Sequence, residues 1–206
     1  YGDHRDLHKE YRRQRQMCIR DRLFISCSKN SESNSSNEDE SLASETEQLS
    51  NDYYEIYLLE QLNENRGYCI DIKGSKLNAD PDNGLQAHTC YSYQGEVSVD
   101  QGFDNVKIDE DEFYMPFFDV CMEAENTSAS STLKLKGCNK NEKQKFKFNN
   151  NAEIVLNDNT NLCLTVSENS REGGGGTPTH LIRDLTLDNC STDISSRQKW
   201  GLRKAQ

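Results

Sequence analysis

From Tyr53 onward the chain alternates short apolar runs with polar clusters. The runs are residues 54–58, 68–72, 133–135, 145–148, 153–156 and 162–166. Several of them alternate with period two, the spacing of a strand with one buried face. Asn, Asp, Gly and Ser clusters lie between them, and no stretch carries a convincing helical period. Many short strands separated by turns predict an all-β barrel or sandwich. The pattern is different upstream. Residues 1–16 show no apolar face at either period, and residues 28–52 hold only Leu42, Ala43 and Leu49 as apolar side chains. High charge with so little to bury predicts disorder, because burial cannot offset the ordering entropy. The folded region is therefore expected over residues 53–204.

In this region a single pattern recurs three times. The first unit has Cys69, then Leu85 and Cys90, then Gln101-Gly102-Phe103. The second has Cys121, then Leu133 and Cys138, then Gln144-Lys145-Phe146. The third has Cys163, then Leu185 and Cys190, then Gln198-Lys199-Trp200. Repeats favour one local bridge each over the other pairings that six cysteines allow. The expected bridges are Cys69–Cys90, Cys121–Cys138 and Cys163–Cys190, each closing a loop worth about 3 kcal/mol by chain entropy. Six reduced thiols are the alternative. Zinc is disfavoured because the chain has no CxxC pair.

These three Cys…Leu…Cys…Gln-x-aromatic units resemble the ricin-type lectin family, also described as family 13 carbohydrate-binding modules. The resemblance covers residues 53–204 and implies a β-trefoil of three pseudo-repeats. It implies that Phe103, Phe146 and Trp200 share a core around a pseudo-threefold axis, and that Gln101, Gln144 and Gln198 brace the hairpins. It also implies a sugar site in which a carboxylate takes two adjacent hydroxyls, a flat ring stacks on the apolar sugar face and amides complete the network.

Repeat one fits that site best. Asp71 stands as the carboxylate, Gln86 as its polar partner and His88 at the stacking position. Asp100 stands where Asn is common and is followed by Gln101. Tyr91 and Tyr93 are the alternative platforms. Asp71 lies on a strand beside Cys69, so removing its side chain is expected to leave the fold intact. In repeat two Glu123 replaces the Asp, with Lys134 and Lys136 at the polar and aromatic positions. In repeat three Thr165 and Asp188 stand at the Asp and ring positions. Both read as structural repeats.

Other chemistry is poorly supported. Residues 80–84 (Asp-Pro-Asp-Asn-Gly) have calcium-loop residues without the spacing, and read as an Asx turn. The run Gly173-Gly174-Gly175-Gly176 lacks the Lys-Ser/Thr of a phosphate loop. No nucleophile–base set or paired catalytic carboxylates stand out, so no enzyme, cofactor or metal is expected. The expected function is non-enzymatic binding of galactose-like or other terminal sugars, with a carbohydrate or glycoconjugate as partner. The alternatives are a structural or protein-interaction trefoil, and the accessory module of a truncated glycoside hydrolase.

Charge and composition set the context. The 206 residues carry a net charge of −11 and a pI near 4.9, which argues against nucleic-acid binding. No apolar run reaches the roughly 18–20 residues of a membrane-spanning helix. Residues 1–22 hold seven Lys/Arg against four Asp/Glu, whereas residues 28–52 hold one Lys against seven acids. Residues 17–22, Met-Cys-Ile-Arg-Asp-Arg, resemble a translated transposon end of the kind used in sequencing libraries, so residues 1–22 read as an artefact and Cys18 as without a role. Residues 23–27, Leu-Phe-Ile-Ser-Cys, resemble the end of a bacterial lipoprotein signal, with Cys27 as the lipidated residue. The acidic linker 28–52 would then be a tether with an r.m.s. span of about 25–30 Å. Body cysteines committed to bridges point to an extracytoplasmic compartment, either in the cell envelope through a lipid anchor or by secretion.

Overall fold

The computed structural model describes residues 53–95 and 97–204. The expected artefact (residues 1–22), the expected lipobox at Cys27 and the expected acidic linker (residues 28–52) lie outside the described residues.

Each expected strand forms. Repeat one contributes β1 (Tyr53–Leu58), β2 (Tyr68–Ile72), β3 (Leu85–Thr89) and β4 (Phe103–Asp104). Repeat two contributes β5 (Tyr114–Met115), β6 (Val120–Ala124), β7 (Ser131–Lys136) and β8 (Phe146–Phe148). Repeat three contributes β9 (Ile154–Leu156), β10 (Asn159–Val166), β13 (Leu185–Asn189) and β14 (Trp200–Lys204), with an additional hairpin, β11 (Arg171–Glu172) and β12 (Leu181–Arg183), between β10 and β13. The period-two reading is plainest in β7, where Leu133 and Leu135 are buried and Lys134 and Lys136 face outward. Among the described residues one short α-helix, α1 (Asn105–Asp109), departs from the all-strand expectation. Five residues are too few to show a period, and the Asp104 carboxylate caps the helix by accepting from the Lys107 N–H at 3.1 Å.

Two kinds of pairing build the β-trefoil. In each repeat the second and third strands form a long hairpin: β2–β3, β6–β7 and β10–β13. The first and last strands close a barrel through β1–β14, β1–β4 and β8–β9, helped by bridges between Glu112 and Lys145 and between Glu153 and Lys199. The core inside holds Ile56, Leu58, Phe103, Phe113, Phe146, Ile154, Leu164 and Trp200. Phe113 meets Phe103 and Phe146 edge-on, with centroids at 6.5 and 5.9 Å, a favoured aromatic geometry. The Trp200 indole N–H donates to the Leu164 carbonyl at 2.9 Å, so its one polar atom is satisfied.

The structure joins Cys69 to Cys90, Cys121 to Cys138 and Cys163 to Cys190, closing separations of 21, 17 and 27 residues. Beside each bridge sits one glutamate: Glu55, Glu112 and Glu153. The sulfurs are bonded to one another, so these groups are not a metal's ligand set. Asp80 accepts from the Asp82 N–H at 3.1 Å and caps the turn Pro81–Asn83, the Asx geometry expected for that segment.

The glutamines make the same three contacts in every repeat. Gln101 Oε1 accepts from the Tyr91 N–H at 2.9 Å, and its Nε2 donates to the Thr89 carbonyl and to Asp71 Oδ2 at 3.1 and 3.0 Å. Gln144 binds the Asn139 N–H, the Gly137 carbonyl and Glu123. Gln198 binds the Ser191 N–H, the Asn189 carbonyl and the Thr165 hydroxyl. Each amide thus ties the backbone on both sides of the second cysteine to the residue two places after the first.

Losing such an amide strands several buried groups at once, and each orphan costs about 1–3 kcal/mol. Gln198→Ala is expected to lower unfolding free energy by at least about 2 kcal/mol, read as a fall in the urea midpoint at unchanged slope. Gln144→Ala should lose less, because its partner Glu123 is only half-buried and water can replace the amide. The reverse ranking would remove the glutamines from their bracing role.

Candidate functional site

Four of the five residues picked out in repeat one converge: Asp71, Gln86, Asp100 and Gln101. Register sets Asp71 opposite Gln86 and Cys69 opposite His88 across the β2–β3 pair. Gln86 Nε2 donates to Asp71 Oδ1 at 2.9 Å, so both Asp71 oxygens already hold one amide each. Asp71 is only 1% exposed. Burial, and next the neighbouring Asp100 carboxylate, push its pKa well above the ordinary range, against the two amide donors. Asp100 is buried as well. One of its oxygens accepts from the Lys76 N–H and the other from the Ser98 hydroxyl. This holds Lys76 at φ 48°, an unusual conformation for a side chain with a Cβ.

Asp71 therefore has a structural duty that its place beside Cys69 does not reveal. It is the acceptor for two buried amides, so the expectation that its removal spares the fold is corrected. Asp71→Ala leaves Gln86 Nε2 without its partner, because that bond is the one Gln86 side-chain contact among the described residues.

A cavity of about 240 Å³ opens beside this cluster, walled by Lys76, Leu77, Tyr91, Gln94, Val97 and Val99. Tyr91 is its aromatic surface. Burial raises the phenol's pKa, and the Asp71 and Asp100 charges add to that. The Lys76 ammonium lies over the Tyr91 ring, 5.3 Å from its centroid.

His88 lies elsewhere than a stacking residue would. It is 4% exposed, and Tyr91 and His180 pack against it at centroid distances of 5.2 and 5.0 Å. Its Nδ1–H donates to the Thr89 carbonyl at 2.8 Å. The cover comes from repeat three. Strand β12 adds to the edge of β3, pairing Ile182 with His88 and Arg183 with Ala87. Arg66 donates to the Pro178 and Thr179 carbonyls at 2.9 and 3.0 Å, and Glu64 grips the same guanidinium. That hydrogen bond holds Glu64 at about 2, far below the usual carboxylate range. The Leu181 N–H donates to the Thr89 hydroxyl at 2.8 Å, and Arg183 donates to Asn63 at 2.6 Å. Gly176, at φ 81°, lies flat against the His180 ring, where a Cβ would come within 2.6 Å of Nε2. The glycine run is thus the turn that lets His180 fold back onto repeat one. Sequence reasoning assigned no role to His180, Arg66, Glu64 or Lys76. The one signal was the uninterrupted glycine run ahead of a histidine.

His88 and His180 should make this closure sensitive to acid. Burial is the main cause lowering both pKa values, and the Arg66 charge acts in the same direction on each. The other charged groups acting on them are Asp100, Glu64 and Lys76; Glu64 stays ionised throughout the relevant range. An unfolded histidine titrates near pH 6.5. The unfolded chain therefore takes up protons first, so stability is full above about pH 6.5 and falls as pH drops below it. Thermal melts at about pH 7.5 and about pH 5.5 should show this drop, and the drop should shrink in His180→Gln. An equal drop in the variant would assign the acid sensitivity to other groups.

The model of the ricin-type beta-trefoil lectin domain family matches residues 59–200. Among curated proteins no sequence matches the chain. Among solved structures, the designed threefold-symmetric protein ThreeFoil is similar with a TM-score of 0.52 at 16% identity, over 73% of this chain and 96% of that one. The mdaA-1 domain is similar with a TM-score of 0.51 at 14% identity, over 73% and 88%. The C-half of the earthworm R-type lectin, solved in complex with GalNAc, aligns with a TM-score of 0.49 at 14% identity, over 74% and 98%. The likenesses to ThreeFoil and the mdaA-1 domain speak for the fold, and the family match spans most of the sequence: the chain belongs to the ricin-type beta-trefoil lectin domain family.

Proposed function

We propose that the chain binds carbohydrate without catalysing a reaction, through repeat one. The observation that carries this reading is the Gln86–Asp71–Gln101 cluster set beside a cavity with a tyrosine wall. After serving two amides the Asp71 carboxyl keeps hydrogen-bonding capacity in either protonation state. That capacity would serve adjacent sugar hydroxyls, with Asp100 and Gln101 fixing the neighbouring backbone. Tyr91 then supplies the apolar face, in the role that His88 cannot fill from behind His180. Galactose-like or other terminal sugars are the proposed ligands. In repeats two and three Glu123 and Thr165 serve their glutamines and bind nothing in this reading.

A second reading has its own observation. Asp71 is almost fully buried and performs the same bracing task as Glu123 and Thr165, as it would in a structural or protein-interaction trefoil that holds no sugar. A glycan array on the full chain separates the two. Asp71→Asn keeps the side-chain volume and is the variant to use once a melt shows it folded. Each hydroxyl bond to a charged acceptor is worth roughly 1.5–3 kcal/mol, so the variant should bind an array hit at least about tenfold more weakly. Glu123→Ala and Thr165→Ala should change binding little. Equal losses at all three positions would mean three working sites, and no binding to any glycan would favour the structural reading.

We also propose an extracytoplasmic location, supported by three bridges that need an oxidising compartment to form and persist. Lipid attachment at Cys27 would hold the domain at the bacterial envelope. Expressed from its native gene, the protein should incorporate labelled palmitate, and Cys27→Ser should abolish the label. Equal labelling of both would remove the anchor.

A further inference from the structure

We infer that the ligand spans at least two sugar residues, the second packing on the exposed ring of Tyr93 outside the cavity; this rests on the carbohydrate reading above. Sites that enclose drug-sized ligands run to roughly 300–1,000 Å³. The cavity here is about 240 Å³, so it suits one ring, and a longer ligand must continue across the rim.

Tyr93 is what it would meet there. The residue is 47% exposed, yet its ring is held in place from several sides. Its phenol oxygen accepts from Gln94 Nε2 at 2.7 Å, and its hydroxyl shares a hydrogen bond with His180 Nε2 at 3.1 Å. The Arg66 guanidinium stands over the ring, 5.5 Å from its centroid, and is itself clamped by Glu64 and by the carbonyls of Pro178 and Thr179. Gln94 connects the two places, since it both lines the cavity and holds the phenol.

An exposed aromatic fixed this way has lost its rotamer freedom before any ligand arrives, so a ligand does not bear that ordering cost. Arg66 stands over one side of the ring and His180 meets it edge-on with centroids at 6.4 Å, and about half of the residue stays exposed. A pyranose laid on the open side would cover its C–H face with the ring, as Tyr is suited to do with its flat apolar body. Its edge hydroxyls would lie near the Gln94 amide at the ring's hydroxyl end. Repeat three contributes only by positioning, through the His180 bond to the phenol. A monosaccharide that fills the cavity gains nothing from Tyr93.

Calorimetric titration of the full chain with galactose and with lactose tests this. Lactose should bind the unmodified chain about five- to tenfold more tightly than galactose, the scale of one aromatic contact. Tyr93→Ala should remove the lactose advantage, weakening lactose about five- to tenfold more than it weakens galactose. Tyr93→Phe keeps the ring without the hydroxyl, and should retain most of the lactose advantage. Equal affinity of the unmodified chain for the two sugars would overturn the inference while leaving the carbohydrate reading standing. So would a Tyr93→Ala that weakens both sugars alike, because that is the signature of a merely structural tyrosine. Binding of neither sugar to the unmodified chain would overturn the galactose-like reading itself, and the two-residue site with it.

Discussion

A buried side-chain amide that must satisfy both its ends governs this molecule. In each repeat the glutamine of the Gln-x-aromatic segment reaches across to the second cysteine, accepts one backbone N–H and donates to one backbone carbonyl. Two residues further along, its neighbouring aromatic fills the barrel core. One short segment therefore fixes hairpin to barrel by a polar contact and an apolar contact together. The bridge beside it removes freedom from the unfolded chain and so strengthens the same junction.

The same constraint shapes the site. The glutamine's second N–H needs an acceptor, and the residue two places after the first cysteine supplies it as a carboxylate, a longer carboxylate or a hydroxyl. Any of the three can brace; they differ in what capacity is left over. The Thr165 hydroxyl accepts from Gln198 and donates to the Cys163 carbonyl, which uses its proton internally. The Asp71 carboxyl has hydrogen-bonding capacity beyond the two amides it serves. A repeat can thus carry a recognition group at this position without giving up its brace, and it can lose recognition without losing its fold.

The threefold features were readable in the sequence because they occur three times. Cysteine spacing, the Gln-x-aromatic segments and the strand alternation each reinforced the others, and Asp71, Gln86, Asp100 and Gln101 did come together. What occurs once was not readable. Hairpin β11–β12 binds to residues about 90 to 120 positions away through Asn63, Arg66 and Thr89, and no period connects those places. His88 looked available because its own repeat leaves it at a strand edge. Only the pairing of β12 with β3 shows that the edge is taken. The helix α1 was missed for a simpler reason, since five residues offer the pattern less than two turns.

That added strand changes which aromatic can face a ligand. On β3 alone, the His88 ring would stand at an open sheet edge, and an unpaired edge invites association with other chains. Repeat three closes the edge with its own backbone and seats His180 on the ring, with Gly176 making room. The consequence passes along the next loop. Tyr91 and Tyr93 both pack against His180, one turned toward the cavity and one left at the surface. Under the carbohydrate reading, repeat three thereby moves the aromatic surface of repeat one from the strand to the loop that follows it, where an imidazole from repeat three packs against both tyrosines.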